Sequence, residues 1–411
     1  MKVSIICIGD ELLKGATVNT NMADIGQKLL EIGVIPMNAI IAPDKKKDLV
    51  RALDYLLPES DLVITTGGLG PTADDVTRAV IAEYFGREMH EDEKIVRKLN
   101  ERWALLKRGE FPHHFLNQAL VPEGADVLPN HVGTAPGLWI KSTAADGSEK
   151  HVAMLPGPPM ELRPMFEESA LPRIKEMQKG KLFSKLYFVS DMPESIVEGR
   201  IQPIITGVEK LSVAYCASPG NVKLFLTSPD EELLNEKSEK IRKMFSDNIL
   251  ADGCSTVAED VSRLLREKNC KVSVAESCTG GMIASAITDA PGATDIFPGS
   301  LVVYSNELKE KLLGVKPEIL ERHGAVSEQC VREMVENVCE KFHAEAGMAV
   351  TGIAGPGGAT NTKPVGLVYI AAKFMDKIAV EKCRFSGNRE MVRSRTVSKA
   401  FNMLREMLVK K

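Results

Sequence analysis

The stretch Lys271–Gly281, KVSVAESCTGG, limits the possible folds more than any other part of the chain. Val272, Val274 and Ala275 are apolar and partly β-branched, which predicts a short buried strand stopping at Glu276, Ser277 and Cys278. Thr279, Gly280 and Gly281 then supply a turn, leaving open backbone N–H groups where a helix starts on the apolar run Met282–Ile287. A hydroxyl held between a strand end and a helix N-terminus faces donors for any negative charge that develops beside it. The same kind of junction also serves many α/β proteins as a plain helix N-cap.

Two later stretches repeat the pattern. SLVVYSNELK, Ser300–Lys309, predicts a strand ending in Tyr304 and a helix carrying Lys309; MAVTGIAGPGG, Met348–Gly358, predicts a strand ending in a glycine-rich loop. Ligands of open α/β sheets sit beyond the carboxyl ends of the strands, so three polar strand ends point to one crevice. A serine needs a base to become a nucleophile, and no histidine lies in these stretches. Lys309 is the candidate base, on condition that burial depresses its pKa, with Tyr304 as a proton relay or donor to a leaving group. A snorkelling surface lysine is the alternative for Lys309, and Cys278 is the rival nucleophile unless it is a buried inert thiol. A helix over Ser327–Phe342, a hairpin of Val365–Ala372 with Ile378–Phe385 and a closing helix over Arg389–Leu408 complete a three-layer α/β/α sandwich with a mixed sheet.

The N-terminal part alternates strand and helix. Strands are expected at Val3–Ile8, Gly33–Ile41 and Asp61–Thr65, with helices from Asn21 and over Lys47–Leu57, a rhythm that implies a parallel sheet with right-handed crossovers. The third strand runs into TTGGLGPTADD, Thr65–Asp75. Gly67, Gly68 and Gly70 permit close backbone approach, Thr72 offers a hydroxyl, and Asp74 and Asp75 are expected to begin a helix running to Phe85. Backbone donors there would cradle phosphate, while the carboxylates would repel it unless a divalent cation such as Mg²⁺ lies between. The alternative is that both aspartates only complement the helix dipole. Neither a Walker A loop nor a GxGxxG dinucleotide fingerprint is present. In MLPGPPMELRPMF, Met154–Phe166, Glu161 is a candidate metal or base ligand and Arg163 a candidate phosphate contact. His113 and His114 lack a matching acid at metal spacing and are read as structural.

Between these parts lies a small α+β segment. A strand is expected at Lys185–Val189, a helix at Pro193–Ile204, a strand pair at Leu211–Tyr215 and Val222–Thr227 turning through Ser218, Pro219, Gly220 and Asn221, and a helix at Glu231–Phe245. No GxxG clamp joins two helices, so a KH-type RNA-binding role is not supported, and a spacer or dimerisation role is expected. The division is therefore three-fold, at 1–168, 169–252 and 253–411: two three-layer α/β/α domains joined by a small α+β domain.

With 52 Lys and Arg against 56 Asp and Glu, the formal charge of −4 gives no footprint for sequence-independent nucleic-acid binding. Eight scattered cysteines without a CxxC pair argue for reduced thiols and against a zinc site. Met1–Gly9 is too short for a signal h-region and no stretch is long enough to span a bilayer, so a cytoplasmic protein without membrane contact is expected.

Together these motifs carry a family resemblance. GDELLKG (Gly9–Gly15), TTGGLGPTADD and LPGPPMEL resemble the molybdopterin-binding-like domain of the CinA (competence/damage-inducible) family, and ESCTGG, YSNELK and TGIAGPGG resemble its nicotinamide-nucleotide amidohydrolase domain. The resemblance spans nearly the whole chain and implies two enzymes. The C-terminal part would hydrolyse the carboxamide of nicotinamide mononucleotide, without a cofactor, to the nicotinic acid nucleotide and ammonia. Ser277 would be its nucleophile in preference to Cys278, Tyr304 and Lys309 its partners, and Gly280 and Gly281, beside Thr279, its oxyanion donors. The loop carrying Gly352, Gly355 and Gly357, with Arg389 or Arg393, would hold the nucleotide. The N-terminal part would be an ADP-ribose pyrophosphatase using Mg²⁺, Co²⁺ or Mn²⁺. Gly67, Gly68, Gly70 and Thr72 would grip its phosphate, and Asp74, Asp75 and Glu161 would serve its metal. Family membership also implies a homodimer. Two other readings stay open: an N-terminal domain that only binds a pterin or nucleotide phosphate, and a DNA-uptake or repair protein, against which the acidic balance speaks.

Overall fold

The computed structural model describes residues 1–106, 110–144, 146–178, 180–218 and 220–410. The turn residue Pro219 lies outside the described residues. The chain divides into two compact units, Met1–Ser184 and Lys185–Lys411.

The first unit is built on a six-stranded sheet in the order Asn38–Ala42, Val3–Ile8, Leu62–Thr66, Glu149–Leu155, Gly137–Thr143, Asp126–Leu128. The first four strands are parallel and the last two are joined antiparallel. Side-chain alternation along the central strand sets the two faces. Val3, Ile5 and Cys7 join a core with Ile25 and Leu29 of the helix Thr20–Glu31 and Leu162 of the helix Pro159–Met165. Ile6 and Ile8 face the opposite core, with Leu49 and Leu53 of the helix Lys46–Leu56 and Val80 and Ile81 of the helix Thr77–Tyr84. Three layers result, as the apolar runs require. The second strand is shorter than its apolar run and begins at Asn38. The helix Leu171–Met177 packs Leu171 and Ile174 into the first of these cores.

The second unit holds two sheets. A three-stranded sheet, ordered Ser212–Ser218, Asn221–Ser228, Phe183–Ser190, replaces the expected two-stranded hairpin. The strand expected at Lys185–Val189 is its third member: alone, a two-stranded hairpin buries too little apolar surface to persist. The helices Glu194–Ile205 and Glu231–Met244 contribute the buried Val197, Ile201, Leu234 and Ile241.

The larger sheet runs Gly299–Val302, Val272–Glu276, Ala346–Gly352, Leu367–Phe374, Lys377–Arg384. Its first three strands are parallel, so their carboxyl ends lie along one edge, and the remaining two are antiparallel. Val272, Val274, Met348 and Val350 face the helices Val257–Glu267 and Arg389–Val409; Ala275 and Ala349 face the helix Glu328–Phe342. The smaller sheet is tied in through Arg405 of the last helix, which is 7% exposed. Its Nε donates to the buried Asp260 carboxylate at 2.7 Å, and its two terminal nitrogens donate to the carbonyls of Asp247 and Ile249 at 2.5 and 2.8 Å.

Candidate functional site

In the second unit the strand Val272–Glu276 delivers Glu276, fully buried, and Ser277, 7% exposed, to the carboxyl edge. Glu276 organises the turn that follows. Its carboxylate accepts from the backbone N–H of Gly281 at 2.9 Å, Ile283 at 3.2 Å and Ala284 at 2.9 Å, satisfying the open donors of the short helix Met282–Thr288. Gly280 and Gly281 take positive φ of 61° and 97°, which a residue with a Cβ adopts only under strain.

This corrects the oxyanion assignment. Gly281 N–H is held by Glu276 and Gly280 N–H donates to the Ser277 carbonyl at 3.2 Å, so neither is open. Among the described residues, the backbone N–H groups of Cys278 and Thr279 donate to no other residue, and they directly follow the serine. A buried carboxylate at the end of an apolar strand, five residues before a Gly-led helix, was the available signal for this cap.

The strand Gly299–Val302 ends earlier than its apolar run suggests, and the helix Asn306–Lys311 begins behind the N-cap Ser305, whose side chain accepts from Leu308 N–H. That helix turns Lys309 inward. The side chain is 1% exposed, and Nζ lies 2.8 Å from the Val303 carbonyl, 3.2 Å from the Tyr304 carbonyl and 3.2 Å from Ser277 Oγ. No carboxylate pairs with it among the described residues. Burial lowers its pKa below the ordinary lysine value. Two carbonyls fix two of the ammonium protons, and the third position faces the serine. In the neutral amine that position holds the lone pair, which can accept a hydrogen bond from the serine hydroxyl.

Cys278, the rival nucleophile, is 5% exposed, and burial pushes its thiol up to about 11. It is a neutral thiol near pH 7, which favours serine.

Tyr304 lies past the strand end and is 60% exposed. Its hydroxyl faces Arg389 Nη2 at 3.4 Å, and Arg389 Nη1 donates to the Gly355 carbonyl at 2.7 Å. Arg389 and Arg393 stand one turn apart at the start of the last helix, and Arg393 Nη2 donates to the Thr279 carbonyl at 2.7 Å. The serine turn, the tyrosine and the glycine-rich loop are thereby linked by two guanidinium groups. Gly352 ends its strand where an added Cβ would meet Val368 at 2.7 Å; Gly355 takes φ 82°, while Gly357 is exposed with open space around it.

In the first unit a cleft of about 350 Å³ at the carboxyl edge is lined by Gly67, Gly68 and Gly70, by Asp74 and Asp75, and by Glu161. Thr72 is exposed and outside this lining: its N–H and hydroxyl donate to Asp75 at 2.9 and 2.5 Å, and the nearby Asp74 carboxyl lies below its ordinary value chiefly through the Thr72 side chain. The two aspartates therefore form a turn rather than starting the helix, which begins at Thr77; the short side chains compete with the helix for local backbone and hydroxyl donors. Glu11, Asp44 and Gln118, not singled out by sequence, line the same cleft. Asp44 has its carboxyl raised by burial, with Glu11, Asp10 and Asp74 adding to the effect. Arg163 lies outside the lining and pairs with Asp24 at 2.8 Å. His113 and His114 fall in a short 3₁₀ turn, away from any metal-type cluster.

The donor set of this cleft, several carboxylates pressed into one negative field, suits a hard cation. It is not a cage by itself, since among the described residues no three His, Cys, Asp or Glu side chains are placed to hold an ion. Glu161 is engaged by Asn130 Nδ2 at 2.7 Å.

The fold and the two sites define a two-domain α/β protein, one domain with a carboxylate-lined glycine cleft and one with a buried serine–lysine pair. Residues 4–176 match the family described as "Probable molybdopterin binding domain", and residues 254–408 match "CinA C-terminal domain". The chain belongs to the CinA family of competence/damage-inducible proteins. It is 40% identical over 415 residues, covering all of both chains, to the "Putative competence-damage inducible protein" of Caldicellulosiruptor bescii. It is 41% identical over 428 residues, covering 100% of this chain and 99% of the other, to the "CinA-like protein" of Endomicrobium trichonymphae. Among solved structures, the competence/damage inducible protein CihA from Agrobacterium tumefaciens is 38% identical, covering 36% of this chain and 91% of that one, with a TM-score of 0.36.

Proposed function

We infer that the second unit is a serine amidohydrolase acting on nicotinamide mononucleotide. The observation that carries this reading is the buried, carboxylate-free Lys309 amine, 3.2 Å from the Ser277 hydroxyl. Ser277 Oγ attacks the carboxamide carbon while its proton passes to the neutral amine of Lys309. The oxyanion accepts from Cys278 and Thr279 N–H. Collapse breaks the C–N bond, and Lys309 returns the proton to the departing nitrogen, which leaves as ammonia. Water, deprotonated by the same amine, then hydrolyses the ester to the nicotinic acid nucleotide. Tyr304 and Arg389 flank the mouth, where a phenol serves the leaving group and a guanidinium the 5′-phosphate. Thr279, Gly352, Gly355, Gly357 and Arg393 shape the walls of the site. Ammonia release from nicotinamide mononucleotide is the test: full release by Ser277→Ala rejects the assignment.

For the first unit we propose hydrolysis of ADP-ribose to AMP and ribose 5-phosphate. Gly67, Gly68 and Gly70 approach the pyrophosphate, and Asp74, Asp75, Asp44 or Glu161 would hold a divalent cation (Mg²⁺, Co²⁺ or Mn²⁺), which would supply neutralisation of the phosphate charge. The carboxylates Glu11, Asp44, Asp74, Asp75 and Glu161 around one cleft support the metal-assisted part of this reading, because such a cleft attracts phosphate together with a cation. Metal-dependent release of AMP separates the two. We place the protein in the cytoplasm as a homodimer without membrane or nucleic-acid partners. Eight free thiols support the compartment and the −4 charge the lack of a nucleic-acid partner, while the homodimer rests on the family resemblance; among the described residues no helix is long and apolar enough to cross a membrane.

A further inference from the structure

A second and larger cleft of the first unit, about 630 Å³, shares a wall with the carboxylate-lined one. The wall is the loop Asn130–Thr134. Thr134 lines both clefts, and Asn130, which lines the larger, donates to Glu161 of the smaller at 2.7 Å. The loop is held firmly: Asn130 Oδ1 accepts from Val132 and Gly133 N–H at 3.0 and 2.6 Å, and Arg102 donates to the carbonyls of the same two residues.

The charge of the second cleft is the opposite of the first. Lys94 and Lys98 stand one turn apart on the helix Glu93–Leu106, and neither ammonium has a carboxylate partner among the described residues. The acid at the rim, Asp92, caps that helix by accepting from Lys94 and Ile95 N–H at 2.8 and 3.0 Å. The floor is apolar, from the buried Ile95 and Leu99 and from Pro129 and Pro136. A cleft of this volume with an apolar floor and two free cations fits a flat heterocycle carrying a phosphate.

We propose that this second cleft is the nucleoside monophosphate subsite of the first unit. The inference rests on the reading of that unit as a binder of a dinucleotide-type pyrophosphate. A ligand of that kind spans both clefts across the Asn130–Thr134 wall, its nucleoside and the phosphate attached to it reaching over the wall from the lysine side, and the second phosphate, joined through the cleaved P–O–P oxygen, on the glycine side.

The test titrates AMP into the full-length protein by calorimetry, in the wild type and in Lys94→Glu/Lys98→Glu. Both side chains are exposed, so the fold tolerates the change. The expected result is at least a tenfold weaker AMP affinity in the double variant, with unchanged binding of ribose 5-phosphate in the presence of Mg²⁺. Equal AMP affinity in both proteins, or no AMP binding at millimolar concentration, overturns the subsite. AMP binding that depends on the lysines while ADP-ribose is left intact supports the subsite and rejects the pyrophosphatase. ADP-ribose cleavage at unchanged KM in the double variant does the reverse.

Discussion

Lys309 Nζ and Ser277 Oγ meet at 3.2 Å although thirty-two residues separate them, and both side chains are buried. The pairing joins two parallel strand ends, and the carbonyls of Val303 and Tyr304 aim the amine at the hydroxyl. Removing the hydroxyl by Ser277→Ala is expected to lower kcat for ammonia release by about a thousandfold or more, as for other activated serines. Circular dichroism of the variant should match the wild type, because alanine keeps the Cβ and removes a single oxygen from the strand end.

The amine works only when unprotonated, so the rate should climb with pH. Burial lowers the folded pKa of Lys309 below the ordinary lysine value of 10.5, and kcat/KM is expected to rise through that lowered value and then level off. The unfolded chain binds the extra proton in the same window, so this group penalises folding most at low pH and stops doing so above 10.5. Lys309→Ala should lose about 10²–10⁴ in rate and show no such limb. A pH profile of both proteins checks this, and an unchanged limb in the variant would reject Lys309 as the base.

Glu276 touches no substrate in this scheme and acts through the turn. Glu276→Gln replaces one acceptor oxygen by an NH₂ group facing backbone N–H donors, at a cost of about 1–3 kcal/mol in unfolding free energy. Because the turn sets where Cys278 and Thr279 N–H point, kcat should fall with KM nearly unchanged. Urea denaturation and steady-state kinetics read the two effects separately.

The thiols offer a further check. Cys216 is exposed, whereas Cys278 is buried with its thiol raised to about 11. Iodoacetamide near pH 7.5 should alkylate Cys216, spare Cys278 and leave amidase activity intact. Loss of activity in step with labelling of Cys278 would return the cysteine to consideration.

Three apolar strands ending in polar residues were enough to bring Ser277, Tyr304 and Lys309 to one edge, because a parallel sheet puts all its carboxyl ends together. The register was legible for the same reason: Val272 and Val274 alternate with Ser273 and Ala275. Which backbone donors stay open was not legible, since it depends on where the Glu276 carboxylate folds back. The Asp74–Asp75 turn was hidden by a like competition, between a helix start and the Thr72 donors. Glu11 and Asp44 reach the carboxylate-lined cleft from other strand ends, a convergence that only the sheet order reveals.

The grip of Arg405 on Asp247 and Ile249 has a practical consequence for dissecting this molecule. A cassette trimmed to residue 254, where the C-terminal family match begins, would delete both carbonyls and leave an interior guanidinium with only Asp260 to answer it. Phe188 and Leu250, which share the core with Val257 and Leu404, would go as well. The C-terminal half therefore carries part of its own foundation upstream of the border that sequence families draw.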